Sequence, residues 1–291
     1  MKKKMRILVP TDFSPASRAG ARFAIQWSRQ QNAHLIFVHV MKIVRLTRWS
    51  DKQYEAFAAS ERERCEKQLA TFIAGIQRRL PLRPNSWSTL LLEGFSADLA
   101  LIEYCREHPE IGMVCMGTKG ANRTRRIFGS NTGNFILQSD TPVIAVSTAY
   151  RRKPISRMTY ASDLANSARE LKQVIELARP LHAKVSVLHM KEPGEMTIDP
   201  QTLKNIWKKQ SRQNVTVEFR MADPELSIAK NLEQSARSLH PSLLVLFSDR
   251  RRTFFQSILY PSNAERLAVA ASLPLLVIGK EDQRSLQKQR S

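Results

Sequence analysis

No apolar run in this 291-residue sequence approaches the length needed to cross a membrane, so no transmembrane helix is expected. The opening Met1-Lys2-Lys3-Lys4-Met5-Arg6 has the charge of a secretory leader, but Ile7-Leu8-Val9 runs at once into Pro10-Thr11-Asp12. An apolar stretch that short is not a leader. Cysteine is scarce: Cys65, Cys105 and Cys115 make an odd number with no metal-ligand spacing. No metal site is expected, and a reducing cytoplasm is the compartment that fits. Aromatic residues are only 7% of the chain, and no stretch interleaves rings with basic residues as nucleic-acid readers do. No Ser/His/Asp constellation appears, so no catalytic residues are expected. The best-known phosphate motif is missing too. Gly112 and Gly117 have the separation of Walker A glycines, but Thr118-Lys119 follows where Lys-Ser/Thr is required, which excludes that loop.

Acidic residues are the other deficit: 26 Asp and Glu stand against 46 Lys and Arg, a net charge of +20. Residues 1–150 hold 22 basic and 12 acidic side chains, leaving 24 and 14 for the remainder. The excess therefore belongs to both halves rather than to a tail. It raises affinity for nucleic acid, anionic surfaces or acidic ligands in a salt-dependent way, and it equally describes a solvated basic surface. With 42% apolar and 25% charged residues, the chain has the composition of a protein that buries a core, and its length favours two domains.

The chain alternates strand and helix. Arg6 to Val9 reads as a strand; Ser14 and Pro15 supply the N-cap and first position of a helix that repeats Ala16, Ala19, Phe23 and Trp27. His34 to Val40 is a nearly all-apolar strand, and a long charged helix follows from Asp51 to Arg79, stopped by Pro81 and Pro84. Trp87 to Leu92, Gly112 to Met116 and Pro142 to Val146 complete five strands, with helices at Ser96 to Glu107 and from Asn131. The order then begins again. Arg157 to Asp163 matches Arg6 to Asp12, Ala183 to His189 matches Ala33 to His39, and Leu243 to Phe247 and Leu273 to Ile278 match the fourth and fifth strands. The chain reads as two copies of one α/β unit, residues 1–150 and 151–291, each an open five-stranded parallel sheet flanked by helices. The second copy is shorter where residues 191–213 replace the long helix.

One stretch carries the chemistry. Met116-Gly117-Thr118-Lys119-Gly120, then Gly129-Ser130-Asn131, joins an apolar strand to a helix. Glycines let backbone approach a bound group closely, and a helix starting at Ser130 points unpaired N–H groups into the same space. That combination predicts an anion site, with phosphate the leading occupant. The basic residues Lys119, Arg123, Arg125 and Arg126 either add charge beside it or are a solvated loop.

These residues resemble the universal stress protein family, and their arrangement resembles its tandem members. The family signature is Gly-x2-Gly-x9-Gly-Ser/Thr after the fourth strand, with an Asp ending the first. Gly117, Gly120, Gly129-Ser130 and Asp12 take those places, Val9-Pro10-Thr11-Asp12-Phe13-Ser14 is close to consensus, and Gly94 matches a glycine after the third strand. The resemblance implies the adenine nucleotide alpha hydrolase-like fold with strand order 3-2-1-4-5, and binding of ATP or another adenine nucleotide, with or without Mg²⁺. Pro10, Thr11, Asp12 and Val40 would then surround the adenosine, Met116, Gly117, Gly120 and Gly129 the ribose and phosphates, and Ser130 and Asn131 the phosphate oxygens. Asp12 on its own residues is equally a turn-forming Asx. Here eight residues, Ala121 to Phe128, stand where the signature has nine, a shift of up to about 3.5 Å for the second anchor.

In the second copy Ser248, Arg251 and Pro261 replace the glycines, Asp249 adds a repelling charge, and Asp163 remains. One nucleotide site per chain is expected, in a cytoplasmic stress-response protein acting through partners, as a homo-oligomer or an internal pseudo-dimer pairing through the fifth strands. ATP hydrolysis stays open. The alternatives are a scaffold that binds no nucleotide and a basic protein associating non-specifically with nucleic acid. His39 and His189, at equivalent strand ends, are expected to be structural.

Overall fold

Strands as apolar as Ile7-Leu8-Val9 or Val143-Ile144-Ala145-Val146 hide both faces, which requires a helix layer on each side of the sheet. The computed structural model describes residues 4–44, 47–79, 86–118, 130–164, 167–191, 199, 201, 202, 205, 207, 215–226, 228–248 and 273–279. The strands are β1 (Arg6–Pro10), β2 (His34–Met41), β3 (Ser86–Glu93), β4 (Ile111–Thr118) and β5 (Val143–Ser147), then β6 (Arg157–Ser162), β7 (Lys184–Lys191), β8 (Val215–Met221), β9 (Leu243–Ser248) and β10 (Leu275–Gly279). The helices are α1 (Pro15–Gln31), α2 (Asp51–Arg79), α3 (Ala97–Glu107), α4 (Ser130–Gln138), α5 (Ser167–Ala178) and α6 (Ile228–Leu239).

The strands run β3-β2-β1-β4-β5-β10-β9-β6-β7-β8 in one sheet. Each half keeps the order 3-2-1-4-5 and is parallel throughout. The halves meet through the expected fifth strands, β5 and β10, the one antiparallel pair among the described strands, with Leu276 opposite Ile144. Two core layers cover the sheet. One packs Phe23 and Trp27 of α1, Leu69 and Phe72 of α2, and Leu171 and Val174 of α5; the other packs Leu101 of α3, Phe135 of α4 and Leu232 of α6. Both layers run across the two halves.

Gly112 has a structural explanation. Arg6 pairs with Ile111 but Ile7 with Met113, so Gly112 is the extra residue of a bulge. All three cysteines are buried and free, and burial pushes the Cys105 thiol up to about 11 and Cys115 higher still. Neither is a nucleophile at neutral pH.

The link between halves is held in place. Tyr150 and Ile155 are buried, and the Gln30 side chain grips Ile155 from both sides, donating to its carbonyl at 3.2 Å and accepting from its N–H at 3.0 Å. Gln30→Ala is expected to destabilise the protein by about 1–2 kcal/mol, measured as a lower urea midpoint at unchanged slope.

Candidate functional site

At the carboxyl end of β1 the chain turns sharply. The Thr11 N–H bonds the Val38 carbonyl at 2.8 Å, and Phe13 takes a left-handed conformation, φ 63°, which a bulky residue adopts only when its surroundings enforce it. Here the Phe13 N–H donates to Thr11 Oγ1 at 2.9 Å, and Thr11 Oγ1 donates to Ser17 Oγ at 3.0 Å. Ser17 Oγ passes on to the Ser14 carbonyl at 2.9 Å, while Ser14 Oγ accepts from the Ser17 N–H at 3.3 Å and caps α1. His39 Nδ1 lies 2.8 Å from the Thr11 carbonyl, so that nitrogen carries the proton, and its ring lies against Phe13 at 4.4 Å between centroids. His39 is thus a structural histidine, as expected.

The turn leaves Asp12 exposed. Its Oδ1 accepts from the Ser14 N–H at 3.1 Å, the Asx turn anticipated for this residue. Desolvation pushes the Asp12 carboxyl up, but hydrogen bonds from Ser14 and Ser17 more than reverse this and hold it below the usual carboxylate range. Asp12 is therefore an ionised acceptor at neutral pH.

Asp12 faces a cavity of about 240 Å³. Pro10, Thr11 and Asp12 line it from the β1 end, Ser14, Ala16 and Ser17 from α1, and Val38, His39 and Val40 from β2. Met116 and Gly117 of β4, Ala97 and Leu101 of α3, and Asn131 and Thr132 of α4 complete it. Seven residues expected from the sequence thus meet in one place: Pro10, Thr11, Asp12, Val40, Met116, Gly117 and Asn131. Ser130 begins α4, but its side chain, with Gly120, Gly129, Lys119, Arg123, Arg125 and Arg126, lies outside the described residues. The cavity sits at the carboxyl ends of the neighbouring strands β1 and β4, whose following helices α1 and α4 pack on opposite faces of the sheet, the crevice in which open α/β folds take ligands.

Gly117 also has a packing part that its sequence motif does not show. A Cβ there would lie 1.8 Å from the Ala16 carbonyl oxygen, and one at Gly20 would lie 2.8 Å from the Gly117 nitrogen. The two glycines let the backbones of α1 and β4 touch, and Cys115 Sγ bonds the Gly20 carbonyl at 3.3 Å across the crossing. The Cβ direction of Gly117 is filled by helix α1, while the residue still lines the cavity. Gly20 went unnoticed in the sequence because its partner is distant in the chain.

The far wall is braced by Asp98 of α3. Ser96 Oγ donates to its Oδ1, and Asn134 Nδ2 of α4 donates to its Oδ2 at 2.8 Å. Burial raises the Asp98 carboxyl, and these bonds outweigh it, leaving the group below the usual range. Thr132 Oγ1 ties α4 to the Gly117 carbonyl at 3.4 Å.

Comparison with known proteins settles the family. The universal stress protein family matches residues 4–147, the span that contains every residue of the cavity. Through that span the chain belongs to the universal stress protein family. A universal stress protein from Archaeoglobus fulgidus DSM 4304 is similar in fold along nearly the whole length, with TM-score 0.67 at 17% identity, covering 95% of this chain and 97% of that one. A putative universal stress protein from Pseudomonas aeruginosa UCBPP-PA14 matches with TM-score 0.53 at 14% identity, covering 99% and 97%. No protein of curated function matches the sequence.

The second half of the chain repeats the strand-end turn. Leu164 is left-handed at φ 64°, its N–H donates to Ser162 Oγ at 3.0 Å, and His189 Nδ1 bonds the Ser162 carbonyl at 2.9 Å. The residues of the helix crossing differ: by the register that matches Asp163 with Asp12, Leu171 stands for Gly20, and by the match of the fourth strands Ser248 stands for Gly117. Tyr160 and Glu170 replace Val9 and Ala19, forming a buried pair in which the Tyr160 hydroxyl donates to Glu170 Oε2 and accepts from Ser162 Oγ at 2.9 Å. Asp249, Arg251 and Pro261 lie outside the described residues.

Proposed function

We propose that residues 1–150 form a unit that binds ATP or another adenine nucleotide in the cavity between β1 and β4. In this reading the protein is a cytoplasmic stress-response protein that acts through partners, with residues 151–291 a supporting unit. The observation that carries the reading is the pairing of unlike ends across one cavity: ionised Asp12 at one side and the start of α4 at the other. A carboxylate accepts hydrogen bonds from sugar hydroxyls, whereas a helix start offers N–H donors to an anion. The first turn of α4 contains no acidic residue to oppose one. Val38, Val40, Leu101 and Met116 supply apolar walls for a base or ribose face.

At about 240 Å³, the cavity suits a nucleoside, with the phosphates directed to the rim at α4. Pro10, Thr11, Asp12 and Val40 would hold the adenosine, and Met116, Gly117, Ser130 and Asn131 the ribose and phosphate side, continued by Gly120 and Gly129. Among the described residues no cluster of His, Cys, Asp or Glu is suited to a metal, so Mg²⁺ enters this proposal only as the counter-ion of the phosphates. Calorimetric titration with ATP and Mg²⁺ tests the reading. Binding near one nucleotide per chain is expected, and Asp12→Ala should weaken it about tenfold or more. Absence of binding would overturn the function, and a stoichiometry near two would overturn the supporting role of the second half.

A further inference from the structure

Three helix N-termini converge on the cavity: Ala16 and Ser17 of α1, Ala97 of α3, and Asn131 and Thr132 of α4 all line it. Each helix start is a potential anion seat, so something must decide which of them takes the charged end of a ligand. At α1, Ser14 Oγ already accepts a first-turn N–H, from Ser17. At α3, Asp98 lies inside the first turn and is only 4% exposed. Its carboxylate takes the Ser96 hydroxyl and lies within the first turn of α3, so the positive end of that helix already faces a negative charge. At α4 the first turn has no acidic residue, and the same Asp98 holds that helix through Asn134 at 2.8 Å.

We propose that Asp98 is a positioning residue that assigns the anionic end of the ligand to α4, by neutralising the start of α3 and fixing the start of α4 across the cavity. This rests on the nucleotide-binding reading and adds to it a determinant outside the glycine signature. Asp98 does not line the cavity, so it acts only through the two helices. Its effect falls on the phosphates and spares the nucleoside, which lies at the Asp12 side.

The test compares ATP with adenosine on the full-length protein. Asp98→Ala and Asn134→Ala should each raise the Kd for ATP about tenfold, the scale of one charge-assisted hydrogen bond. The double variant should be no weaker than the worse single one, because both remove the same brace. Adenosine affinity should stay within about twofold of wild type by the same arithmetic. Equal weakening of both ligands, or unchanged ATP affinity, would overturn the proposal. The isosteric Asp98→Asn serves if the alanine variant does not fold, with the same selective loss expected. Hydrogen exchange on the ligand-free variants separates this proposal from the function it rests on: amides at the start of α4 should exchange faster than in wild type while those of α1 do not. Unchanged exchange at α4 refutes the brace whether or not the wild type binds ATP, while a wild type that fails to bind ATP refutes the function alone.

Discussion

Replacing Gly117 with alanine is expected to destabilise the protein by more than about 3 kcal/mol, at or beyond the upper end of ordinary overpacking. The new Cβ would lie 1.8 Å from the Ala16 oxygen and 2.2 Å from the Ala16 carbonyl carbon. Both are backbone atoms, so no side-chain rotation relieves the clash. Helix α1 would have to lift from β4, loosening Phe23 and Trp27, which are fully buried on it. Gly20→Ala meets its nearest atoms at 2.8 and 3.0 Å and should cost less, about 1–3 kcal/mol. Urea unfolding of the two variants decides the matter; a loss under about 1 kcal/mol at Gly117 would show that the crossing has slack. The same geometry changes how a binding experiment must be interpreted. Loss of nucleotide binding on substituting Gly117 reports a displaced helix, so Asp12 is the better position for probing contact with the ligand.

The second large effect is expected from Tyr160→Phe, at about 1–3 kcal/mol, the penalty for removing a donor from a buried polar group. Glu170 is 4% exposed and Tyr160 fully buried, and the phenol is pushed above its usual range by burial and by the neighbouring Glu170. The first half shows how the same space is filled without charge, by Val9 and Ala19, both fully buried. Substituting both partners, Tyr160→Val with Glu170→Ala, should therefore recover part of the single-variant loss, because no buried carboxylate then loses its donor. Thermal denaturation of the two variants in parallel gives the comparison, and a double variant less stable than Tyr160→Phe would show that the pair contributes net stability.

Much of the fold could be anticipated because its signals are local. The Ser14-Pro15 cap starts α1 where expected, α2 spans Asp51–Arg79 as its charge pattern predicts, and the repeat places β6, β7, β9 and β10 in register with their counterparts. The site was legible in part for the same reason: Asp12 and Met116-Gly117 sit at strand ends that alternation alone identifies. What escaped were the contacts between distant residues around the cavity. Gly20 lies mid-helix, where glycine only lowers propensity, and nothing local shows that Gly117 packs on it. Asp98 and Asn134 are 36 residues apart, and each looks like an ordinary helix residue. The left-handed turn at Phe13 escaped because its cause is the hydroxyl chain through Thr11 and Ser17, and because propensity argues against a phenylalanine there.

The antiparallel seam between β5 and β10 has a further consequence. In a pair of separate chains such a ladder would form and dissolve with concentration, since association must offset lost translational freedom. Here nine residues, Thr148 to Ser156, tether one half to the other, and a short tether holds its ends at an effective concentration of order millimolar. Dilution cannot part the halves. The strand edges spent on the seam are also withdrawn from any second chain, so a further copy would have to dock elsewhere on the surface.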